Sequence, residues 1–264
     1  MRAKDPRQNP TRAAPAAPLA GKPDAPQRGG NRARARQAKW VFAALAVIAL
    51  GARYTAAEDG VTLAALRIAY DRECNSRADY GAYALRAEAD GMPVAALAFR
   101  VVAIAESVHA SLQAERIRDL GAEPTWTPKS IVVHATEENL HTAIENEAHE
   151  YASVYPQLVD QSRPEFLYDA LRALEYARAA EATHANLFTD VLRDLEPIRT
   201  PPMQATAIAS FAAVEASGFY VCLGDGSVFT HPIHGSCPNC GSGKGSFRLM
   251  TLGDGARLSA VVPK

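Results

Sequence analysis

Apolar residues recur at three- and four-residue steps along four stretches of this chain, the spacing of helices that each bury one face. The first stripe holds Leu63, Leu66, Tyr70, Tyr80 and Ala84, in a helix predicted over 62–89 and ended by Asp90-Gly91-Met92-Pro93. Pro93 suits the first turn of a second helix, which runs to Gly121, a fit residue for the position just past a helix end. The short connection makes these two an antiparallel pair. Residues 121–135, with Pro124 and Pro128, are too long and proline-rich for a tight turn and suit a crossover to a second pair. The third stripe holds Leu140, Ile144, Val154 and Leu158, in a helix predicted from Thr136, which can cap it, to the region between Tyr155-Pro156 and Leu158. Ser162-Arg163-Pro164-Glu165 has the pattern of a capping box opening a fourth helix. That helix carries Leu167, Leu171, Leu174, Phe188, Leu192 and Leu195 and stops before Pro197.

Charged residues interrupt all four stripes. Glu73 lies on the first, Glu147 and Glu150 lie on the third, and the second and fourth each carry Glu-x-x-His, as Glu106 with His109 and Glu181 with His184. Three residues is close to one helical turn, so each Glu and its His leave from one face. A carboxylate in a core costs several kcal/mol unless it is paired or coordinates a cation. Five converging carboxylates repel one another, and two divalent or trivalent cations cancel most of that charge. One Glu from each of two helices plus Glu-x-x-His from the other two is the ligand set of four-helix di-iron and di-manganese carboxylate proteins. Oxygen donors with only two imidazoles favour iron or manganese over a thiolate-loving metal.

The remaining segments divide the 264 residues further. Residues 1–39 are rich in Ala, Pro, Arg and Gly without apolar periodicity and are expected to be disordered. Residues 40–57 form a hydrophobic signal or anchor segment: Arg32, Arg34, Arg36 and Lys39 precede an uncharged run over 40–52, shorter than the roughly 20 residues that cross a bilayer. A basic flank before a short apolar core is the pattern of a secretory signal. The expected location is therefore the cell envelope, exported or anchored through that segment; the alternative is a cytoplasmic protein with an extra packed helix. The helical domain spans 58–196, a linker 197–217, a third module 218–252 and a tail 253–264. The net charge of −1 gives no electrostatic case for nucleic acid. In the third module Cys237-Pro238-Asn239-Cys240-Gly241 has the spacing of a metal knuckle. Its partner is incomplete, because Cys222 is followed at the third position by Asp225.

The ordered set of motifs resembles the rubrerythrin family, over about residues 58–250. The resemblance rests on Tyr70-Asp71-Arg72-Glu73 with Tyr80, on Ala105-Glu106-Ser107-Val108-His109, and on Glu138-Asn139-Leu140 through Glu147, Glu150 and Tyr155-Pro156. It rests equally on Glu181 to His184 and on Tyr220-Val221-Cys222, Cys237-Pro238-Asn239-Cys240-Gly241 and Gly245-Ser246-Phe247. It implies a mainly α fold: a ferritin-like four-helix bundle with a small C-terminal rubredoxin-like β ribbon. It also implies two irons held by Glu73, Glu106, His109, Glu147, Glu150, Glu181 and His184, with Glu106 and Glu181 bridging and Tyr80 and Tyr155 hydrogen-bonding ligand carboxylates. One ligand carboxylate is expected to swing between the irons. The implied activity is peroxidase: reduction of hydrogen peroxide to water in oxidative-stress defence. Electrons would come from an unknown donor of rubredoxin or reductase type through the module of a neighbouring subunit in a homodimer. The departure is Asp225. Four thiolates define the rubredoxin site, and a fourth ligand beside Cys222, Cys237 and Cys240 would have to be Asp225, His231 or His234, holding a single iron or zinc; the alternative is a vestigial ribbon held by packing.

Other residues have simpler readings. His134, His141 and His149 are expected on the surface, Glu145 exposed, Cys74 buried, Arg77 ion-paired on the Glu73 face, and Trp126 over a bundle end. Two functions use the same ligands: a peroxide-reducing enzyme, and a ferroxidase or iron-binding protein without an efficient electron route.

Overall fold

The computed structural model describes residues 60–195 and 218–254. The readings placed on 1–39, 40–57, 197–217 and most of the C-terminal tail lie outside the described residues. The bundle comprises α1 (Val61–Ala89), α2 (Pro93–Asp119), α3 (Thr136–His149) continued through a π-helical turn (Glu150–Val154) into α4 (Tyr155–Ser162), and α5 (Tyr168–Leu195). Gly91 (φ 73°) and Gly121 (φ 77°) take the left-handed conformation that ends α1 and α2, which other residues adopt only at a cost.

Three local expectations are corrected. Thr136 is the first helical residue of α3 rather than its cap. Its N–H and hydroxyl both donate to Asp90 Oδ2, at 3.1 and 2.7 Å, tying the start of α3 to the end of α1. The third helix runs past its expected end between Tyr155-Pro156 and Leu158 and stops at Ser162. A proline ring collides with the carbonyl four residues back, here Ala152, and the π-helical widening over Glu150–Val154 accommodates it. The Ser162–Glu165 pattern caps a different helix from the one it precedes. Ser162 ends α4 and donates to Leu158 O at 2.7 Å, while Glu165 accepts from the N–H groups of Val61 and Thr62, both at 2.9 Å, and so caps α1.

Between α2 and α3 the chain crosses without regular structure, held along α1 by Thr127 N–H to Asp71 Oδ1 (2.8 Å) and Lys129 N–H to Asn75 Oδ1 (3.1 Å). Arg77, expected in an ion pair, instead lies over the Trp126 ring at 5.9 Å, because its half-exposed position lets the guanidinium stay hydrated above an aromatic face.

The apolar interior forms two clusters. One gathers Tyr80, Phe99, Leu140 and Phe188; the other gathers Leu66, Ile117, Tyr155, Leu158 and Leu174. The C-terminal module is an antiparallel sheet of β1 (Phe219–Cys222), β2 (Val228–Phe229) and β3 (Phe247–Met250), ordered β2-β1-β3 with Val221 opposite Val228 and Cys222 opposite Phe247. Phe219, Val221, Val228 and Met250 join the first cluster, so the ribbon shares the bundle's core.

Candidate metal centre

Between the two clusters lies a buried polar layer, to which each helix contributes because its apolar stripe is interrupted at that level. Glu73, Glu106, His109, Glu147, Glu150, Glu181 and His184 are each at most 4% exposed. Two sets of four donors stand out: Glu73, Glu106, His109 and Glu181, and Glu106, Glu147, Glu181 and His184, with the donor atoms of each set within 4.8 Å of one another. Glu106 and Glu181 belong to both. The imidazoles of His109 and His184 stack with centroids 5.5 Å apart, and both Nδ1 atoms face the carboxylates. His109 Nδ1 is 3.4 Å from Glu73, 3.1 Å from Glu106 and 3.2 Å from Glu181; His184 Nδ1 is 3.4 Å from Glu106, 3.2 Å from Glu147 and 2.8 Å from Glu181.

Glu150 stands outside both sets. Its Oε1 accepts from Arg72 Nη2 and Nε, at 2.7 and 3.1 Å. Arg72, adjacent to Glu73, entered the sequence reading only as part of the Tyr70-Asp71-Arg72-Glu73 motif, with no role of its own.

Aromatic hydroxyls join the layer from both sides. Tyr80 donates to Glu147 and Tyr155 to Glu73. Gln113, also missed, donates to the Tyr155 hydroxyl at 2.8 Å and contacts Glu73 at 3.2 Å. It falls four residues after His109, on the same face, and that spacing was its signal.

Electrostatics follow from the crowding. Burial pushes the Glu73, Glu147 and Glu150 carboxyls well above the usual range, and neighbouring carboxylates add to it: Glu106 and Glu181 for Glu73, Glu181 for Glu147, Glu73 and Glu181 for Glu150. Burial opposes charge on His109 and His184 too, but the surrounding glutamates outweigh it and raise both. Glu181, facing both imidazoles, is lowered despite its burial. Neither of its oxygens accepts a hydrogen bond of proper geometry. Such an orphaned carboxylate between two inward imidazoles, shared by two donor sets, is what a pair of bridged hard cations satisfies.

The outward nitrogens of the histidines are also fixed. His109 Nε2 donates to the carbonyl of Asp225 at 2.9 Å and His184 Nε2 to that of Gly226 at 3.0 Å. A carbonyl only accepts, so each Nε2 carries the proton and each Nδ1 is left as the ligand atom. The resemblance implied a neighbouring subunit's module at this place; here the contact is made within one chain. Sequence reasoning missed both carbonyls, since a backbone acceptor leaves no mark in residue type.

The module itself brings Cys222, Asp225, Cys237 and Cys240 together, with donor atoms within 4.8 Å of one another. Cys222 Sγ is 3.7 Å from Cys240 Sγ, and Cys237 Sγ is 3.2 Å from Asp225 Oδ2. His231 and His234 are exposed and apart from this set, as are His134, His141, His149 and Glu145, while Cys74 is buried in α1. Burial, with Asp225 adding to it, pushes the Cys237 thiol up to about 11. An iron tetrathiolate needs four thiolates; with Cys74 elsewhere the module supplies three, and that cofactor does not fit.

A family model described as Rubrerythrin matches residues 64–192. Nigerythrin of Nitratidesulfovibrio vulgaris is 25% identical over 140 residues, 52% of this chain and 68% of that protein. Rubrerythrin-2 of Clostridium acetobutylicum is 28% identical over 135 residues, 50% of this chain and 73% of the relative. Solved structures of nigerythrin in a mixed-valence state and in a fully reduced, all-ferrous state superpose with a TM-score of 0.60 at 22% identity. They cover 74% of this chain and 88% and 89% of theirs, a likeness of fold. The family binds a di-iron centre and its members are oxidoreductases of oxidative-stress defence, and the donors in the bundle fit that cofactor. Through its helical bundle, residues 64–192, this chain is similar to the rubrerythrin family.

Proposed function

We propose that this chain reduces hydrogen peroxide to water at the bundle site. The observation that carries the reading is the pair of four-donor sets sharing Glu106 and Glu181, which would hold two irons side by side. Glu73 and His109 would complete one site, Glu147 and His184 the other. Two adjacent ferrous irons, when bound, supply both electrons needed to split the O–O bond (H2O2 + 2 e− + 2 H+ → 2 H2O) without releasing a radical.

The chain's own residues prepare for that chemistry. Tyr80 and Tyr155 each donate to one oxygen of a terminal carboxylate, which keeps that oxygen occupied and turns the other toward the cations. Arg72 holds Glu150 to one side, so that carboxylate would stay in reserve, within reach of the irons when they are bound. The two aromatic and aliphatic clusters above and below exclude bulk water from the layer. An electron donor of rubredoxin or reductase type would return two electrons per turnover.

Stopped-flow oxidation of the reduced, iron-loaded protein tests the reading. Peroxide is expected to react faster than dioxygen, with one peroxide consumed per two irons oxidised. Faster reaction with dioxygen, together with iron accumulating beyond two per chain, would establish the ferroxidase reading instead. The three-thiol module favours that second reading, because it lacks the ligands of an internal electron relay.

A further inference from the structure

We infer that Cys222, Asp225, Cys237 and Cys240 hold one zinc ion, and that this ion locks the turn whose carbonyls fix both histidines of the bundle site. Asp225 is fully buried, whereas a vestigial position in a solvent-facing knuckle has no reason to bury a carboxylate. Its two oxygens have separate tasks. Oδ1 accepts from Ser227 N–H at 3.0 Å, which fixes the side chain, and Oδ2 then points at the three sulfurs. A tetrahedral ion with Zn–S bonds of about 2.3 Å sets its sulfurs roughly 3.8 Å apart; Cys222 and Cys240 stand at 3.7 Å. Zinc accepts thiolate and carboxylate in one tetrahedral shell.

The same residue reaches the other site through its backbone. Asp225 O meets His109 and Gly226 O meets His184. Gly226 has φ 81° and donates to Cys222 O at 2.8 Å, and a side chain there would drive into the His109 ring. Two further bonds seat the turn: Cys222 N–H to Ser227 O (2.8 Å) and Val228 N–H to the hydroxyl of Thr183 (2.9 Å), which lies inside the second Glu-x-x-His. With zinc in place, the Asp225 side chain is pinned and its carbonyl cannot swing away. Without it, two buried thiols, the half-buried Cys240 and a buried carboxylate face one another with only weak sulfur contacts and the Ser227 N–H to hold them, and the turn loosens. Zinc occupancy thereby sets iron affinity in the bundle through the orientation of His109 and His184.

The coupling rests on the di-iron reading of the bundle; the zinc assignment does not, and the two are read separately. Elemental analysis of the full chain, produced with iron and zinc both supplied, is expected to give one zinc per chain, lost in Asp225→Ala and in Cys237→Ser. Cobalt substitution should show thiolate-to-cobalt charge-transfer absorption. Ferrous iron titrated into the bundle should bind about 10–100-fold more weakly in Asp225→Ala, the usual effect of losing an outer partner of a ligand histidine. Asp225→Cys, which keeps four ligands and the backbone turn, should again hold one metal in the module, zinc or the iron that four thiolates accept, and bring iron affinity of the bundle back to within about threefold of wild type. Amide exchange over residues 222–228 should rise on zinc removal and stay low in Asp225→Cys. The red absorption of an iron–thiolate site in wild-type protein, or undiminished zinc in Asp225→Ala, overturns the zinc assignment. Unchanged iron affinity on zinc removal overturns the coupling. A wild-type chain that holds zinc but binds no iron refutes the di-iron reading and the coupling, and leaves the zinc assignment standing on its count.

Discussion

Replacing Arg72 with methionine isolates, among the described residues, the charge pair of the metal layer that involves no histidine. Methionine keeps the apolar stem and removes the guanidinium that Glu150 Oε1 accepts from at 2.7 and 3.1 Å. Glu150 is 6% exposed among Glu73 and Glu181, already pushed by burial well above the usual carboxylate range, and Arg72 is the charge that opposes that push. Breaking a buried pair by removing one partner typically costs about 3–5 kcal/mol. The 30% exposure of Arg72 lets water screen part of the pair, and a raised carboxyl has less charge to strand, so the low end, about 3 kcal/mol, is the expected loss. At about 2–4 °C per kcal/mol for a chain of this size, chelator-treated protein should melt roughly 6–12 °C lower than its wild-type counterpart. Iron-loaded protein should lose about 1 kcal/mol or less, the worth of a single hydrogen bond, because Glu150 gains cations to face. At pH 5 Glu150, raised by burial and its carboxylate neighbours, holds its proton more fully with or without Arg72, and the metal-free penalty should shrink accordingly. Calorimetry of both forms at both pH values reads this directly. Equal shifts in the two forms, or a metal-free shift under about 2 °C, would refute the assignment of Glu150 as a carboxylate held in reserve.

Three further outcomes are expected. The double variant Glu106→Ala/Glu181→Ala should lose both irons by elemental analysis, since both donor sets contain both residues; full occupancy would refute the shared-ligand geometry. Metal-free protein should become less stable as pH rises from about 5 to 8. The raised groups Glu73, Glu147, Glu150, His109 and His184 bind more protons folded than unfolded, so their contribution is complete below the unfolded pKa values and lost above; iron-loaded protein should lack this fall in thermal scans. Tyr155→Phe, which removes the tyrosine donor from Glu73 and leaves it only Gln113, should slow oxidation of the reduced protein by peroxide about 10–100-fold; a rate within twofold of wild type would remove Tyr155 from the site.

The metal layer was legible in sequence because helical periodicity is local: Glu106 and His109 must share a face wherever α2 goes, and the same holds for Glu181 and His184. What escaped depended on the path of the chain. Ser162-x-x-Glu165 carries a correct capping signal, but which N–H groups Glu165 meets is decided by α1 passing nearby, a hundred residues away in sequence. Pro156 is a true helix breaker locally, and only the packing of Tyr155, Leu158 and Val159 into the core makes a π-helical detour preferable to stopping. Asp225 looked like a defect in a cysteine set; its buried side chain and the use of its carbonyl are visible only once β1 is docked beside α2.

The two donor sets also have a consequence for assembly. Glu73, Glu106 and His109 come from the helical hairpin before the crossover, and Glu147, Glu181 and His184 from the one after it. Each hairpin would thus supply three of four ligands to one cation and take the fourth, Glu181 or Glu106, from its counterpart. Neither half can fill its own site, and each metal that binds is a cross-tie between halves. Because binding to the native state alone adds stability by mass action, about 4 kcal/mol at a thousandfold excess over Kd, iron loading should convert two loosely repelling hairpins into one cooperative unit. Iron in this chain is thereby a folding partner before it is a reagent.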